Sequence, residues 1–243
     1  KFYLNKFNKD DQSYNWFKTK KLAQIIYKEQ NEAASLQFIE KKVLKYKNPD
    51  IKIYFDTANI YKNFKKYKKS IEFYDLVLKN TKKNDLSYAD VLYRRGSSYE
   101  RMGNYVRSDA DLINSIEIID DDPYVLNYLA YSWLERSYQV DLAMEMLIKA
   151  HSLKKNDPYI ADSLGWGYFL IGEYKKAEEY LNLALQIKPN DSVITDHYAD
   201  TLWMLNRKIQ AKYLWKSVLK NSDSVEIDKD KIKEKILKGK KKF

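Results

Sequence analysis

An all-α array of antiparallel helix pairs is the fold class this sequence predicts, on three observations. A set of residues recurs at a period of about 34, apolar residues within each period are spaced by 3 and 4, and all four prolines fall between periods. Gly96 and Gly165 stand 69 residues apart, as do Gly103 and Gly172, Tyr99 and Tyr168, and Tyr105 and Tyr174. That distance is two periods, of 34 and 35. Each period breaks once, at a short turn such as Ile171-Gly172-Glu173-Tyr174, so each unit is a helix, a tight turn and a second helix. Neither helix is long enough to be stable alone, and a lone pair cannot bury its apolar faces, so the pairs must stack.

In chain order, residues 1–49 form a degenerate N-terminal repeat, with Tyr27, Ala34 and Phe38 holding its main positions. Residues 50–221 hold five copies, at about 50–84, 85–121, 122–156, 157–190 and 191–221. The first carries Ala58, Tyr61, Tyr67, Ser70, Tyr74 and Leu78, and the second the glycines and tyrosines paired above. The third carries Leu129, Ala130, Trp133, Ala143 and Ala150; Ala177, Leu181 and Leu185 of the fourth recur as Ala211, Trp215 and Leu219 of the fifth. Asp122-Pro123 and Asp157-Pro158 each set a capping acid before a proline at the first helical position. Residues 222–243 supply a capping helix, with Ile232, Ile236 and Leu237 on one face, and a basic tail ending GKKKF that is expected to fray.

Glycine inside a helix costs about 1 kcal/mol relative to alanine, so Gly96 and Gly165 need a reason. They alternate with Ala130 and Ala199 at one position of the period, where a small side chain is expected to be required by close packing. Gly103 and Gly172 fall in the turn, where glycine reaches positive φ cheaply. Gly167 has no such place in the pattern; room for a bulky neighbour is the reading open to it.

A 44% hydrophobic and 15% aromatic chain can bury ample apolar surface, which excludes global disorder. The absence of cysteine removes disulfides, thiolate metal sites and a cysteine nucleophile. No apolar run reaches the roughly 18 residues that span a bilayer. The opening Lys1-Phe2-Tyr3 lacks a methionine and an apolar signal, so the chain reads as a processed product or an excised piece. A net charge of +10 invites nucleic acid or an anionic surface, and Lys62, Lys65, Lys66, Lys68 and Lys69 cluster around one turn in its favour. Lysines on outward helix faces are the simpler account in a chain also rich in Asn, Ile and Tyr.

No catalytic residue and no metal or cofactor site is read from the sequence. His151 and His197 lack metal-ligand spacing. Asp120-Asp121-Asp122 lacks the alternation of a calcium loop, so Asp122 is assigned to helix capping and the other two to solvent. Gly165-Trp166-Gly167 is not a dinucleotide fingerprint, because residue 170 is Leu and no strand precedes it. Ser97, in Arg94-Arg95-Gly96-Ser97, sits mid-helix and should be inaccessible to a kinase. The chain is expected not to be an enzyme.

The repeat resembles the 34-residue tetratricopeptide repeat, with Gly165, Tyr168, Ala177, Ala184 and Pro189 on its signature positions in the copy that opens at Pro158. The resemblance implies a right-handed superhelical solenoid whose concave surface comes from the first helix of each pair. Carried residue by residue, it implies a partner-binding groove lined by Phe55, Asn59, Tyr93, Arg94, Arg101, Asn127, Tyr131, Asp162, Trp166, Asp196, Asp200 and Trp203. Its lining is aromatic throughout, basic early and acidic late, which suits an oriented peptide segment or helix of a partner. The family's clamp for chaperone C-termini would need lysine, arginine and asparagine where Phe55, Arg94, Tyr124 and Tyr128 stand; only Asn59 matches. The stretches NYLAYSWLER and DSLGWGYFLIGEYKKAEEYL resemble bacterial envelope repeat proteins, including lipoprotein adaptors, which implies a periplasmic or envelope setting ahead of the cytoplasm. A protein-binding scaffold is therefore the leading expectation. Nucleic-acid or anionic-surface binding is the second, and self-association through exposed end copies stays open.

Overall fold

A computed structural model describes residues 11–83, 85–221 and 227–240, and every regular element among them is an α-helix. The chain divides into two compact units, Lys1–Ile119 and Asp120–Phe243. The first holds α1 (Gln12–Glu29), α2 (Glu32–Val43), α3 (Ile51–Asn63), α4 (Tyr67–Lys79), α5 (Leu86–Arg101) and α6 (Tyr105–Ile118). The second holds α7 (Pro123–Glu135), α8 (Val140–Leu153), α9 (Pro158–Leu170), α10 (Tyr174–Ile187), α11 (Ser192–Met204), α12 (Lys208–Asn221) and α13 (Lys229–Lys238). Lys1-Phe2-Tyr3, and the last three residues of the tail expected to fray, lie outside the described residues.

Helix starts follow from local chemistry. Asp122 Oδ1 accepts the Tyr124 and Val125 amides at 2.9 and 3.3 Å, and Asp157 Oδ1 accepts those of Tyr159 and Ile160 at 2.9 and 3.1 Å. In each case a proline follows at the first helical position, where no amide is needed. Asp121 is not merely solvated as expected: it forms an ion pair with Lys149 of α8.

The turn inside each of the five pairs from α3/α4 to α11/α12 is the same object. Lys65, Gly103, Ser137, Gly172 and Asn206 all have positive φ, between 52° and 83°. The amide after each returns to the carbonyl five residues back: Lys66 to Tyr61, Asn104 to Tyr99, Tyr138 to Trp133, Glu173 to Tyr168 and Arg207 to Leu202, at 2.8–2.9 Å. This is the Schellman closure, which satisfies a carbonyl that the helix end leaves open. The sequence marked only the two glycines.

Small residues set the spacing between helices. A Cβ on Gly165 would lie 2.7 Å from Leu181 Cγ of α10, its partner helix. Gly167 is explained by the opposite side of α9, where a Cβ would meet Met144 Sδ at 2.8 Å and Leu134 and Leu147 at 3.1 Å. Thus α9 is approached closely by α10 on one side and by α7 and α8 on the other, which is why it tolerates two glycines.

In the first unit one core gathers Trp16, Ala23, Ile39, Val43 and Ile53, and a second gathers Ala58, Tyr74, Val77, Leu78, Val91 and Leu92. The N-terminal pair therefore uses a different register from the one expected. Tyr27 is exposed and meets Phe64 edge-on, while Ser35 Oγ donates to the Ala23 carbonyl at 2.8 Å where α1 and α2 close. In the second unit Ala199, Leu202, Ala211, Trp215 and Val218 take Ile232 of α13 into their core, with Ile236 packed alongside. Leu237, expected on the same face, is 78% exposed.

Candidate functional site

In the first unit, α3 and α5 place Phe55, Asn59, Lys62, Tyr93, Arg94 and Arg101 on neighbouring first helices. Arg94 lies over the Phe55 ring, 5.3 Å from its centroid, and its Nε donates to both oxygens of Asp90 one turn earlier, at 2.9 and 3.0 Å. Asn59 Oδ1 accepts from Tyr74 Oη at 2.7 Å and from Arg94 Nη1 at 3.4 Å. Lys62 donates to Ser97 Oγ. Burial, then the charges of Arg94 and Arg101, push the Lys62 ammonium down to about 8, against the pull of Asp90. A crowded cation of this kind favours an arriving anion, because the anion relieves the repulsion. Ser97 is buried, as its mid-helix position predicted.

The lysine cluster near that turn does not form one basic patch. Lys66 pairs with Glu32 at 3.0 Å, and Lys69 with Glu72 and Glu40 at 3.2 and 3.4 Å, while Lys62 points to α5. The unit also holds a cleft of about 320 Å³ between α2 and α4, beside Tyr46, Tyr54 and Phe73, that no sequence signal announced.

The second unit is built around a stack of three rings. Trp166 lies 4.6 Å from Phe169, with 7° between planes, and 4.1 Å from His197, with 15° between planes. The indole Nε1 donates to Glu135 at 2.7 Å, and His197 Nδ1 lies 2.9 Å from Asp162 Oδ1. Burial alone would lower the His197 pKa, but Asp162, with Asp196 and Asp200 behind it, raises it. Tyr131 of α7 packs on this group. Asn127, one turn earlier, carries a buried Oδ1 without a hydrogen-bond partner among the described residues. An open cleft of about 450 Å³ runs beside Trp166, walled by Leu134, Val140, Leu170 and Ile171, with Glu135 and Lys240 at its polar end.

The acidic residues of α11 are not an open surface. Lys235 of α13 reaches Asp196 at 2.7 Å and Asp200 at 2.8 Å. Asp200, its side chain 1% exposed, also accepts from Trp215 Nε1 at 3.1 Å and pairs with Lys240 at 2.9 Å. Burial, then repulsion from Asp200, raises the Asp196 pKa. Trp203 carries Gly239 against its ring. Of the residues expected to line a groove, Asp162, Trp166 and Asp200 are buried, and Asp196 and Trp203 are covered by the C-terminal segment. Phe55, Asn59, Tyr93, Arg94, Asn127 and Tyr131 are half-buried, and Arg101 is exposed. Sequence reasoning missed Glu135, Lys235 and Lys240, because nothing local links them to residues some 31 to 40 positions away.

Residues 51–84 and 163–191 match the family model of the tetratricopeptide repeat, one segment in each unit. A TPR repeat-containing protein of Pseudomonas aeruginosa is 35% identical over 104 residues, 43% of this chain, and the match spans only 18% of that relative's length. Among solved structures, a tetratricopeptide repeat protein of Parabacteroides merdae aligns with a TM-score of 0.66 at 13% identity, over 86% of this chain and 80% of that one. A thermophilic TPR protein of Thermus thermophilus gives 0.64 at 14% identity, over 78% and 98%, and PilF of Pseudomonas aeruginosa gives 0.61 at 15%, over 72% and 77%. At these identities the structures establish the fold, a solenoid of helix pairs.

Proposed function

The chain is a tetratricopeptide repeat protein, and from that premise we propose that it is a non-catalytic scaffold that binds an extended segment or helix of another protein along the first helices of its pairs. The observation that carries this reading is the chemistry of those helices. Aromatic rings alternate with charged groups: Lys62, Arg94 and Arg101 make the first helices of the first unit cationic, while Asp162, Asp196 and Asp200 of the second unit are held by His197, Lys235 and Lys240. Aromatic anchors supply contact area, and charge supplies orientation and on-rate. Half-buried Phe55 and Tyr131 are the anchors a ligand can still reach. A cell-envelope setting is proposed on the sequence resemblance alone, and fractionation of the source cells tests it.

The test is capture of native partners by the parent chain and by Phe55→Ala and Tyr131→Ala variants, with helicity followed by circular dichroism. Loss of captured proteins at unchanged helicity is expected. Capture that ignores both substitutions overturns the reading. Retention of RNA or DNA that falls steeply between low and moderate salt would favour the nucleic-acid reading instead.

A further inference from the structure

The described chain ends in a segment that does more than cover an apolar face. Ile232 and Ile236 account for the packing of α13, and Lys235 with Trp215 Nε1 already provides donors to the buried Asp200 carboxylate. Past the helix, Gly239 turns at φ 82° and lies flat on Trp203, where a Cβ would meet Cζ2 at 1.9 Å, so only glycine passes. The turn delivers Lys240 into a compartment that shares Asp200 Oδ2 with Lys235, which reaches that oxygen at 3.0 Å. The Lys240 Nζ lies 2.9 Å from Asp200 Oδ2, 5.5 Å from the Trp166 centroid and 5.7 Å from that of Phe169, with the side chain 18% exposed. A buried carboxylate beside aromatic faces is the arrangement that recognises an alkylammonium, since the carboxylate supplies the charge-assisted bond and the rings a cation–π contact. The cleft beside Trp166 opens next to Lys240, with Glu135 at its rim, and gives room to residues that flank a lysine.

We propose that Trp166, Phe169 and Asp200 form a lysine-binding subsite, occupied in cis by Lys240 and taken in trans by a lysine-bearing segment of a protein partner. The proposal rests on the reading of the first helices as peptide-binding faces and names the ligand chemistry of the second unit. A tethered occupant acts at an effective concentration on the order of millimolar, so it holds back a ligand in trans without preventing its entry. Asp196, Asp162 and Glu135 stand around the compartment, Asp196 paired with Lys235, Asp162 with His197 and Glu135 accepting from the Trp166 indole. The C-terminal segment is thus both the cover of the site and a pattern for what enters it.

The experiment uses the full chain and, as probe, a fluorescent peptide amide of residues 234–240 (EKILKGK), with a second peptide in which the final lysine is norleucine. Lys240→Ala empties the compartment, and Gly239→Ala displaces the segment without touching its walls. Both variants are expected to bind the lysine peptide about tenfold more tightly than the parent and to prefer it about tenfold over the norleucine peptide. Adding Asp200→Asn to Lys240→Ala should abolish the gain at unchanged helicity. The proposal is overturned if neither opening variant gains affinity, or if the norleucine peptide binds as well; the second comparison needs no change in the compartment and so does not depend on Asp200→Asn folding. Partner capture that depends on Tyr131 together with peptides that show no lysine preference defeats this subsite alone, whereas capture that ignores Phe55 and Tyr131 defeats the scaffold reading.

Discussion

Arg95 of α5 grips both carboxylate oxygens of Asp111 on α6, Nε at 2.8 Å and Nη2 at 2.7 Å, and its Nη1 reaches Asp75 of α4 at 2.6 Å. One guanidinium therefore joins three helices across two repeats. Asp111 is 5% exposed, and removing it takes both its hydrogen bonds from Arg95, which keeps only the half-exposed Asp75. Asp111→Ala should cost about 2 kcal/mol, less than the loss of the sole partner of a buried charge. Urea unfolding measures this. Replacing both residues, with Arg95→Met and Asp111→Leu, should recover part of the loss, and a double variant no better than the single one would refute the account.

Gly165 and Gly172 predict different kinds of damage. At Gly165 a methyl group meets Leu181 and its backbone nitrogen, so Gly165→Ala should force α9 from α10 and cost about 1–3 kcal/mol. At Gly172 nothing lies within 4 Å of a new Cβ, and Gly172→Ala should cost only the left-handed strain of about 1 kcal/mol. Tryptophan fluorescence, through Trp166 next to Gly165, should change for the first variant and not the second.

The left-handed turns offer a gain in stability. Ser137 holds φ 52° where two other copies hold glycine. Ser137→Gly should therefore raise the unfolding free energy by about 1 kcal/mol. Asn206→Gly, at φ 64°, should gain less, because asparagine tolerates this region better than other non-glycine residues. Equal midpoints for the parent and Ser137→Gly in thermal unfolding would show that the turn carries no strain.

His197 predicts a pH dependence whose sign is fixed by its neighbours. Burial disfavours its charge, but Asp162, Asp196 and Asp200 outweigh that, and its pKa is raised above 6.5 in the fold. The folded chain then binds the proton more readily than the unfolded one. The resulting stability is fully present below 6.5 and is lost as pH rises through the raised value. His197→Gln should thus cost most at acidic pH and progressively less as pH rises through the raised value. His151 is shifted the other way, by burial and then by Lys155, so His151→Gln should help at acidic pH and lose that benefit as pH rises. Chemical-denaturation midpoints across this range distinguish the two; identical pH profiles for them would overturn the assignment.

Much of the fold was legible because its causes are local. The 3- and 4-residue spacing, the capping acids of Asp122-Pro123 and Asp157-Pro158 and the small residues at 96, 130, 165 and 199 are each visible within one turn or one repeat. In the N-terminal pair Phe38 packs on the core as its position implied, but Tyr27 is exposed, and Trp16, Ala23 and Ile39 fill the core. The candidate site was legible in its residue types and not in their occupancy. Asp162, Trp166 and Asp200 stand on the expected helices, but whether each faces solvent, a stacked ring or an ammonium is set by segments about a repeat away.

The sequence by itself determined that helix pairs repeat and stack, since helical periodicity and capping act over a few residues and need no distant partner. Only the tertiary structure decided that Lys65, Ser137 and Asn206 adopt the glycine conformation, because packing of the second helix imposes the turn on whatever residue is there. It also decided what covers the acidic face of α11. The carboxylate of Asp200 cannot stay buried without donors, and the chain returns Trp215 and Lys235 to supply them.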